Sequence, residues 1–178
     1  MEKNRQGLLH IYCGDGKGKT SAAVGMAVRA AGCGMKVLVI RFLKTENSGE
    51  VEVLRSIPGI TVTPCDRSFG FVFRMTEEQK QEAALYYQSR FEAAAKEAVQ
   101  GQYDLLILDE ILASCNYGMV RETSVVEFLQ NRPEKLEVVL TGRNPPETFL
   151  ELADYVSEIC MRRHPYEKGI PARRGIEF

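Results

Sequence analysis

Short apolar runs alternate with amphipathic stretches along most of the chain. Six runs rich in leucine and β-branched residues predict strands, at residues 8–12, 36–43, 60–64, 103–110, 136–142 and 155–161. Several of these runs are apolar almost throughout, which is typical of parallel strands covered by helices on both faces. The stretches between them predict helices at residues 19–32, 49–57, 76–100, 124–131 and 146–153.

The alternation of these elements predicts the fold class. Strands that alternate with helices indicate an α/β fold with a parallel, doubly wound sheet and right-handed crossovers. The longest helix has a start signal, because Thr76 can cap its first turn and Gln79 can return the bond, which is a capping box. A chain of 178 residues is long enough to bury one full core. We therefore expect a single domain over residues 1–178, with a short tail at 1–7 and a basic segment at 162–178.

Charge and cysteine content narrow the classes of partner. The net charge is −1, so the chain lacks an overall basic field that would hold nucleic acid or an anionic membrane. The five cysteines are scattered and form no C-x-x-C pair, which argues against a disulfide framework or a zinc site. No apolar run approaches the ~20 residues that cross a bilayer. These features predict a soluble, cytoplasmic protein without nucleic-acid or membrane partners.

The segment "CGDGKGKT", which begins at Cys13, resembles a phosphate-binding loop. Such a loop wraps phosphate oxygens in backbone N–H groups, and adds a lysine and a hydroxyl that meets magnesium. Residues 18–20 fit the end of that pattern, but Cys13 stands where its first glycine is expected. Gly14 and Gly16 supply flexibility instead, and Lys17 adds a second charge. The alternative is a glycine-rich turn; the strand before it and the helix after it favour phosphate binding.

Three further strand ends carry charged residues. The strand "LLILDE" ends in Asp109 and Glu110, either of which could hold Mg²⁺ beside phosphate oxygens, or could simply be solvated. Arg143, in "TGR", could reach a phosphate or cap the region that follows. Lys44, just after the second strand, could likewise reach a phosphate. All four should fall at the carboxyl edge of the sheet, where ligands of such folds bind.

The segment "FGFVF" carries three alternating phenylalanines, Phe69, Phe71 and Phe73. A half-buried strand would place all three on one face. Gly70 and an arginine on either side make a poor core strand, however. The alternative is an apolar surface for a flat ligand, and the residues by themselves leave both readings open.

Taken together, these segments resemble the ATP:corrinoid adenosyltransferases of the CobA/CobO/BtuR type. The similarity runs through "GDGKGKTSAAVGMAVRAAGCGMKVLVIRFLK", "GFVF", "DLLILDE", "VVLTGRNPPETFLELADYVSEI" and "HPYEKGIPARRGIEF", and covers nearly the whole chain. The glycine loop and the closing "RGIEF" are highly specific as a pair. The resemblance implies a single-domain P-loop, RecA-like fold, with a mostly parallel sheet of about six strands and helices on both faces.

The resemblance also implies an activity. Members of this family transfer the 5′-deoxyadenosyl group of ATP to the cobalt of a reduced corrinoid, such as cob(I)alamin or a cobinamide or cobyrinic acid derivative, and release triphosphate. Co(I) is the nucleophile, and the loop with Mg²⁺ stabilises the leaving triphosphate, which lies reversed in the loop. The implied partners are ATP, a corrinoid and an electron-donating reductase such as a flavodoxin-like protein. The resemblance leaves open whether the protein forms a homodimer.

Site residues follow from the resemblance by position. Triphosphate binding is assigned to Gly14, Asp15, Gly16, Lys17, Gly18, Lys19, Thr20, Ser21 and Arg143. Catalysis is assigned to Lys17, Lys19 and Thr20. Corrinoid binding is assigned to Phe71 and Phe73. Mg²⁺ binding is assigned to Thr20, Asp109 and Glu110.

Two departures from the family pattern accompany this assignment. Phe73 stands where family members commonly have tryptophan, and only about seven residues precede the first strand. Two rival functions also remain at this stage. The loop alone fits a phosphate-transferring or hydrolysing enzyme, in which Glu110 could serve as a base. It also fits a non-catalytic binder of nucleotide or corrinoid.

Overall fold

The computed structural model describes residues 6–70 and 72–177, and its strands form one six-stranded sheet. The strands are β1 Leu9–Cys13, β2 Val37–Arg41, β3 Ile60–Val62, β4 Leu105–Asp109, β5 Glu137–Thr141 and β6 Tyr155–Glu158. Their order across the sheet is β3-β2-β4-β5-β1-β6, and each pairing is parallel. Each strand predicted from the apolar runs is present.

Within the described residues, six α-helices connect the strands, and there are two short 3₁₀ turns, the second of which follows β6. The helices are α1 Lys19–Gly32, α2 Glu50–Ser56, α3 Glu77–Gln100, α4 Ile111–Asn116, α5 Glu122–Asn131 and α6 Glu147–Leu152. The 3₁₀ turns are Val72–Arg74 and Pro165–Lys168. The capping box is confirmed, since Thr76 accepts from the Gln79 N–H and the Gln79 side chain accepts from the Thr76 N–H. Across the described residues, no helix is both long and apolar enough to traverse a bilayer.

The helices cover both faces of the sheet, as the apolar strands predict. On one face α1 and α2 pack against alternate strand residues such as Leu105 and Ile107 of β4. On the other face the buried sides of α3 to α6 pack against Leu106 and Leu108 of the same strand. Because consecutive side chains of a strand point to opposite faces, β4 contributes to both cores. The prediction of an α/β fold with helices on both faces is confirmed.

The exit of β6 differs from the prediction and shapes the region around the glycine loop. The apolar run predicts a strand to residue 161, whereas β6 ends at Glu158. The next residues turn to the loop instead. The Gly16 N–H donates to the Ile159 carbonyl at 2.7 Å, and the Met161 N–H donates to Asp15 Oδ1 at 2.8 Å. These bonds fix the loop against the end of the sheet.

The half-buried strand considered for the three phenylalanines is wrong. Residues 63–70 form no strand, and Val72–Arg74 is a 3₁₀ turn. Phe69 packs against Tyr86 and Tyr87, with ring centroids 5.5 and 5.8 Å apart. Phe73, which lies in that 3₁₀ turn, therefore does not share a strand face with Phe69. Phe71 lies outside the described residues.

Candidate functional site

The strand order brings three chain segments together at the carboxyl edge of the sheet. Strand β5 lies between β4 and β1, so their ends are adjacent. The glycine loop follows β1, Asp109 ends β4, and Thr141 ends β5. Asp109 and Thr141 are 32 positions apart in the sequence, and the other segments are farther apart. In the structure the Thr141 hydroxyl donates to Asp109 Oδ1 at 2.6 Å. The glycine loop and Asp109 therefore lie at the carboxyl edge of the sheet, as the sequence predicts.

The displaced glycine of the loop has a geometric explanation. Cys13 is the buried last residue of β1, so the turn begins one residue later, at Gly14. Gly14 has a φ of 100°, and a Cβ there would lie 2.5 Å from the Ile159 carbonyl oxygen. A Cβ on Gly16 would lie 2.6 Å from the same oxygen. Both positions need glycine because the backbone after β6 passes so close to the loop.

Lys19 lies inside the curve of the loop. It is the first residue of α1 and is 8% exposed. Its Nζ donates to the carbonyls of Gly14 at 2.7 Å and of Gly16 at 2.8 Å. Burial lowers the pKa of the Lys19 ammonium, while the carboxylate of Glu110 acts in the opposite direction. The ammonium therefore lies where phosphate oxygens would contact the same loop.

Lys17, the second lysine of the loop, contacts the turn at residues 173–177, called here the C-terminal turn. Its Nζ lies 3.3 Å from Glu177 Oε1, across 160 residues of sequence. Arg173 binds the same carboxylate through its backbone N–H, at 2.7 Å, and through its guanidinium, at 3.0 and 3.2 Å. The hydrogen bond from Arg173 is the main reason that the pKa of Glu177 falls to about 2. The loop thus carries a contact that its local pattern does not predict.

Asp109 is the centre of a polar cluster at the start of α1. Its Oδ1 accepts from the hydroxyls of Thr20, at 3.0 Å, and Thr141, at 2.6 Å. Its Oδ2 contacts the ammonium of Lys44, which also donates to Thr20 Oγ1 at 2.8 Å. Asp109 is buried, at 2% exposed. Thr20 and Asp109, both of which the resemblance assigns to Mg²⁺, are therefore in direct contact.

Glu110, the residue that precedes α4, has a left-handed backbone conformation, with a φ of 63°. Its N–H donates to Thr141 Oγ1 at 2.9 Å. Burial, followed by the neighbouring carboxylate of Asp109, raises the pKa of Glu110. Non-glycine residues in this conformation are uncommon and cluster at functional sites.

Arg143 lies beside the loop. Its Nη2 donates to the Asp15 carbonyl at 3.4 Å, a long hydrogen bond. Asn116, the last residue of α4, holds the backbone here by donating to the carbonyls of Arg143 and Asn144 at 3.0 Å each. The sequence interpretation missed α4, because six residues are too few to show a helical period, and therefore missed Asn116 as well. Arg143 thus reaches the loop, and its contact with phosphate stays a prediction.

Two clefts flank the loop, and the C-terminal turn contributes to both. The first has a volume of about 460 Å³ and is strongly basic. Its lining residues are Gly16, Lys17, Cys160, Met161, Arg162, Arg163, His164, Pro165, Arg173 and Glu177. The second has a volume of about 760 Å³ and mixes polar and apolar groups. It is lined by Thr20, Ser21, Val24, Leu43, Lys44, Thr45, Ser48, Gly49, Glu50, Ser68, Gly70, Gly175, Ile176 and Glu177.

Phe73 does not line either cleft. Its side chain is 79% exposed, and the Arg74 guanidinium lies 5.5 Å from the ring centroid. The neighbouring Ser68 and Gly70 do line the larger cleft. The segment predicted to bind a flat apolar ligand therefore borders the site. Its exposed ring lies outside the walls of the site.

Three residues of the site were not assigned from the sequence: Lys44, Thr141 and Glu177. Lys44 was weighed only as a phosphate contact, and Thr141 was overlooked although it lies in the "TGR" segment. A signal for Thr141 existed, because a hydroxyl at the end of a buried strand needs a partner. Glu177 had no such signal, since its partners lie on the loop and in the final turn.

The donor set of the cluster suits Mg²⁺. Magnesium is usually held by one or two protein oxygens together with phosphate oxygens and water. The hydroxyl of Thr20 and the carboxylate of Asp109 supply such oxygens, and they already hold one positive charge, the ammonium of Lys44. Within residues 6–70 and 72–177, no three His, Cys, Asp or Glu side chains converge to form a metal cage. The site therefore fits a cation that arrives with phosphate ligands of its own.

Comparison with solved structures supports the fold. A KaiC-like protein from Pyrococcus horikoshii superposes with a TM-score of 0.51 at 14% identity, over 89% of this chain and 75% of that one. The cytoplasmic domain of EssC superposes with a TM-score of 0.50 at 12% identity, over 94% of this chain and 35% of that one. The predicted P-loop, RecA-like α/β fold is confirmed. At these identities the likeness concerns the fold alone.

Comparison of the sequence gives the family. Residues 5–178 match the family model of the ATP:corrinoid adenosyltransferases BtuR/CobO/CobP. The corrinoid adenosyltransferase of Pseudomonas aeruginosa is 33% identical over 177 residues, which cover 99% of this chain and 86% of that protein. Those of Escherichia coli K12 and Salmonella typhimurium are 32% and 30% identical, over 99% of this chain and 88% of each relative. The prediction of an enzyme of this type is confirmed: the chain belongs to the ATP:corrinoid adenosyltransferase family.

Proposed function

We propose that the protein transfers the 5′-deoxyadenosyl group of ATP to the cobalt of a reduced corrinoid and releases triphosphate. Membership of the family supports the transfer of an adenosyl group to a corrinoid. The release of intact triphosphate is supported by the two lysines of the loop, Lys17 and Lys19, which lie beside a basic cleft. A triphosphate that leaves whole needs positive charge along its length, whereas a single transferred phosphate does not.

The two clefts suggest the orientation of the nucleotide. Arg162, Arg163 and Arg173 surround the smaller cleft together with Lys17, so it suits the distal phosphates. The larger cleft combines polar groups with Val24, Leu43 and Ile176, so it suits the adenosine and the approaching corrinoid. In this orientation the α-phosphate lies near Thr20. This agrees with the reversed nucleotide that the resemblance implies.

The chemistry requires one bond to form and one to break. Co(I) of the corrinoid, as substrate, donates its electron pair to C5′ of the ribose. The C5′–O5′ bond breaks, and the triphosphate leaves with the electron pair of that bond. No proton moves, so no protein base is required. The residues of the loop hold the substrate in line and stabilise the charge that develops on the leaving oxygen.

Lys19 and Lys17 contribute most of this charge stabilisation. Lys19 already faces inward over the carbonyls of the loop, at 2.7 and 2.8 Å, so it can exchange those acceptors for phosphate oxygens. Lys17 can exchange Glu177 for phosphate in the same way, since their ion pair is long and partly exposed. Arg143 reaches the loop from the other side at Asp15. Mg²⁺, held by Thr20 and Asp109 with Glu110 nearby, would neutralise two more phosphate charges.

The corrinoid would lie against the segment that carries the phenylalanines. Phe73 presents an exposed ring next to residues that line the larger cleft. Together with Phe71, it would pack beneath the corrin ring and exclude the lower axial ligand. Loss of an axial donor makes cobalt easier to reduce, since axial ligands tune redox potential.

The proposal also includes an electron-donating reductase such as a flavodoxin-like protein, a cytoplasmic location, and one catalytic domain over residues 1–178.

One observation favours a second function, which is hydrolysis of ATP. Glu110 has a raised pKa, and none of the described residues donates a hydrogen bond to its carboxylate. A carboxylate in that state could position water at a phosphate. The two functions differ in their products, because hydrolysis gives ADP and phosphate.

The experiment that tests the proposal is product analysis under anaerobic conditions. ATP and chemically reduced cobalamin should give adenosylcobalamin and intact triphosphate in equal amounts. Lys19→Ala should lower turnover by about 10²–10³, the usual cost of one preorganised electrostatic contact. Lys36→Met is the matched control, because Lys36 lies at the opposite end of β2 and bonds the Gly101 carbonyl. Stoichiometric ADP and phosphate would instead support hydrolysis, and binding without turnover would support a carrier.

A further inference from the structure

Lys44 contacts two of the three side chains that are assigned to the metal, those of Thr20 and Asp109. Its Nζ donates to Thr20 Oγ1 at 2.8 Å and contacts Asp109 Oδ2. The side chain of Lys44 is 21% exposed, whereas that of Asp109 is 3% exposed. The ammonium thus enters the cluster from the side of the larger cleft, which Lys44 also lines.

The charge of Asp109 makes this contact necessary. A buried carboxylate is costly unless a positive group pairs with it. The other partners of Asp109 are the neutral hydroxyls of Thr20 and Thr141, and both donate to Oδ1. Among residues 6–70 and 72–177, Lys44 is the one that forms an ion pair with Asp109. The positive charge of the cluster is therefore supplied by the chain itself.

A metal ion and this ammonium compete for the same oxygens. Mg²⁺ stands about 2.0–2.1 Å from its ligand oxygens. The hydroxyl of Thr20 gives its hydrogen to Asp109 and accepts from Lys44, so a metal at Thr20 would lie within a few ångströms of the ammonium. Like charges at that separation repel strongly in a partly buried site. One cation must leave before the other can bind.

We propose that Lys44 is the built-in cation of this site, and that it is exchanged for the metal when the nucleotide enters. Free divalent cations are kept out of the nucleotide-free protein, so the metal arrives together with ATP. Lys44 then moves into the larger cleft, whose wall it already forms with Leu43 and Thr45. This inference rests on the proposed role of Thr20 and Asp109 as the metal site.

The test measures Mn²⁺ binding to the nucleotide-free, full-length protein, by the electron paramagnetic resonance signal of free Mn²⁺. Wild type should bind Mn²⁺ weakly. Lys44→Met should bind it at least about tenfold more tightly, since the repelling charge is gone. Adding Asp109→Asn to that variant should abolish the gain, and the control Lys36→Met should match wild type.

A second variant covers the case in which Lys44→Met fails to fold. Lys44→Gln keeps a hydrogen-bond donor for Asp109 without the charge, and should show the same tighter Mn²⁺ binding. Equal binding by wild type and both Lys44 variants would overturn the proposal, as would tight binding that survives Asp109→Asn. Because neither ATP nor corrinoid is present, this result does not depend on whether adenosyl transfer is demonstrated.

Discussion

At the scale of single residues, the site depends on how closely the chain approaches itself around the loop. Gly14 and Gly16 lack a Cβ because the carbonyl of Ile159 lies where that atom would be. Lys19 is buried in the same curve and bonds both glycine carbonyls. The sequence predicted these residues by type, as flexibility and charge. It could not predict the close approach of Ile159, which is distant in sequence.

The first prediction concerns that close approach. Gly16→Ala would place a Cβ 2.6 Å from the Ile159 oxygen and 2.9 Å from the Cys160 carbonyl carbon, so the loop must shift. We expect a lower melting temperature and at least a tenfold weaker affinity for ATP, because the shift displaces donors by fractions of an ångström. Calorimetric titration and thermal unfolding measure both quantities.

Gly25→Ala is the matched control. Gly25 lies within α1, and a Cβ there meets nothing within 4 Å. Alanine is favoured over glycine in a helix interior by roughly 0.5–1 kcal/mol, so this variant should be more stable and bind ATP normally. An ATP affinity for Gly16→Ala equal to that of Gly25→Ala would contradict the geometric account of the loop.

At the scale of elements, the sequence predicted most of what has a long or regular pattern. The apolar runs gave the strands, and the capping box gave the start of α3. Helix α4 was missed because it has six residues, and β6 was predicted too long because residues 159–161 remain partly apolar. In the structure the Ile159 N–H still donates to the Cys13 carbonyl of β1, whereas the Ile159 carbonyl and the Met161 N–H bond the loop. Hydrogen bonds of that kind leave no trace in a local pattern.

The second prediction uses the exit of β6 to test the orientation of the nucleotide. Cys160 is exposed and lines the smaller, basic cleft, whereas the exposed Cys33 lies at the far end of α1. Iodoacetamide at pH 8 should modify both. Tripolyphosphate and ATP should slow the reaction of Cys160 severalfold and leave Cys33 unchanged, because phosphates occupy the smaller cleft. Peptide mass spectrometry over time gives both rates.

Adenosine and a third cysteine serve as controls in the same experiment. Adenosine alone should not protect Cys160, since it is expected in the larger cleft. Cys115 should stay unmodified in the native protein, because burial raises the pKa of its thiol to about 12 and so removes the reactive thiolate at pH 8. Protection of Cys160 by adenosine and not by tripolyphosphate would mean that the nucleotide lies the other way round.

The third prediction separates Phe69 from Phe73, the two described phenylalanines of the "FGFVF" segment. Phe69 is half-buried against Tyr86 and Tyr87, so Phe69→Ala should lower the free energy of unfolding by about 2 kcal/mol, somewhat less than for a fully buried ring. Phe73 is 79% exposed, so Phe73→Ala should leave stability nearly unchanged. The Phe73→Ala substitution should instead slow the reaction with the corrinoid.

The kinetic half of that comparison uses two starting states of the corrinoid. Phe73→Ala should impair the reaction that starts from cob(II)alamin more than the reaction from pre-reduced cob(I)alamin, because only the first depends on loss of the axial ligand. Urea unfolding and the two assays together check the prediction. Equal losses from both corrinoid states would count against a role for Phe73 beneath the ring.

At the scale of the whole molecule, the function depends on how the sheet gathers distant segments. The order of strands places the ends of β1, β4 and β5 side by side, and the C-terminal turn returns to the loop through Lys17 and Glu177. The net charge of −1 hides the local charge of the smaller cleft, which is lined by Lys17, Arg162, Arg163 and Arg173. The sequence therefore predicted the fold and the loop, while the contacts between segments required the folded chain.

The central claim is that the C5′–O5′ bond of ATP is the bond that breaks. The most direct measurement uses ATP labelled with ¹⁸O at the bridging O5′ position, reduced cobalamin and the wild-type protein, followed by mass spectrometry of the products. The account predicts that the label leaves with triphosphate and that adenosylcobalamin carries none. Label retained on the nucleoside, in ADP or AMP, would contradict the account and point to cleavage of a phosphate bond.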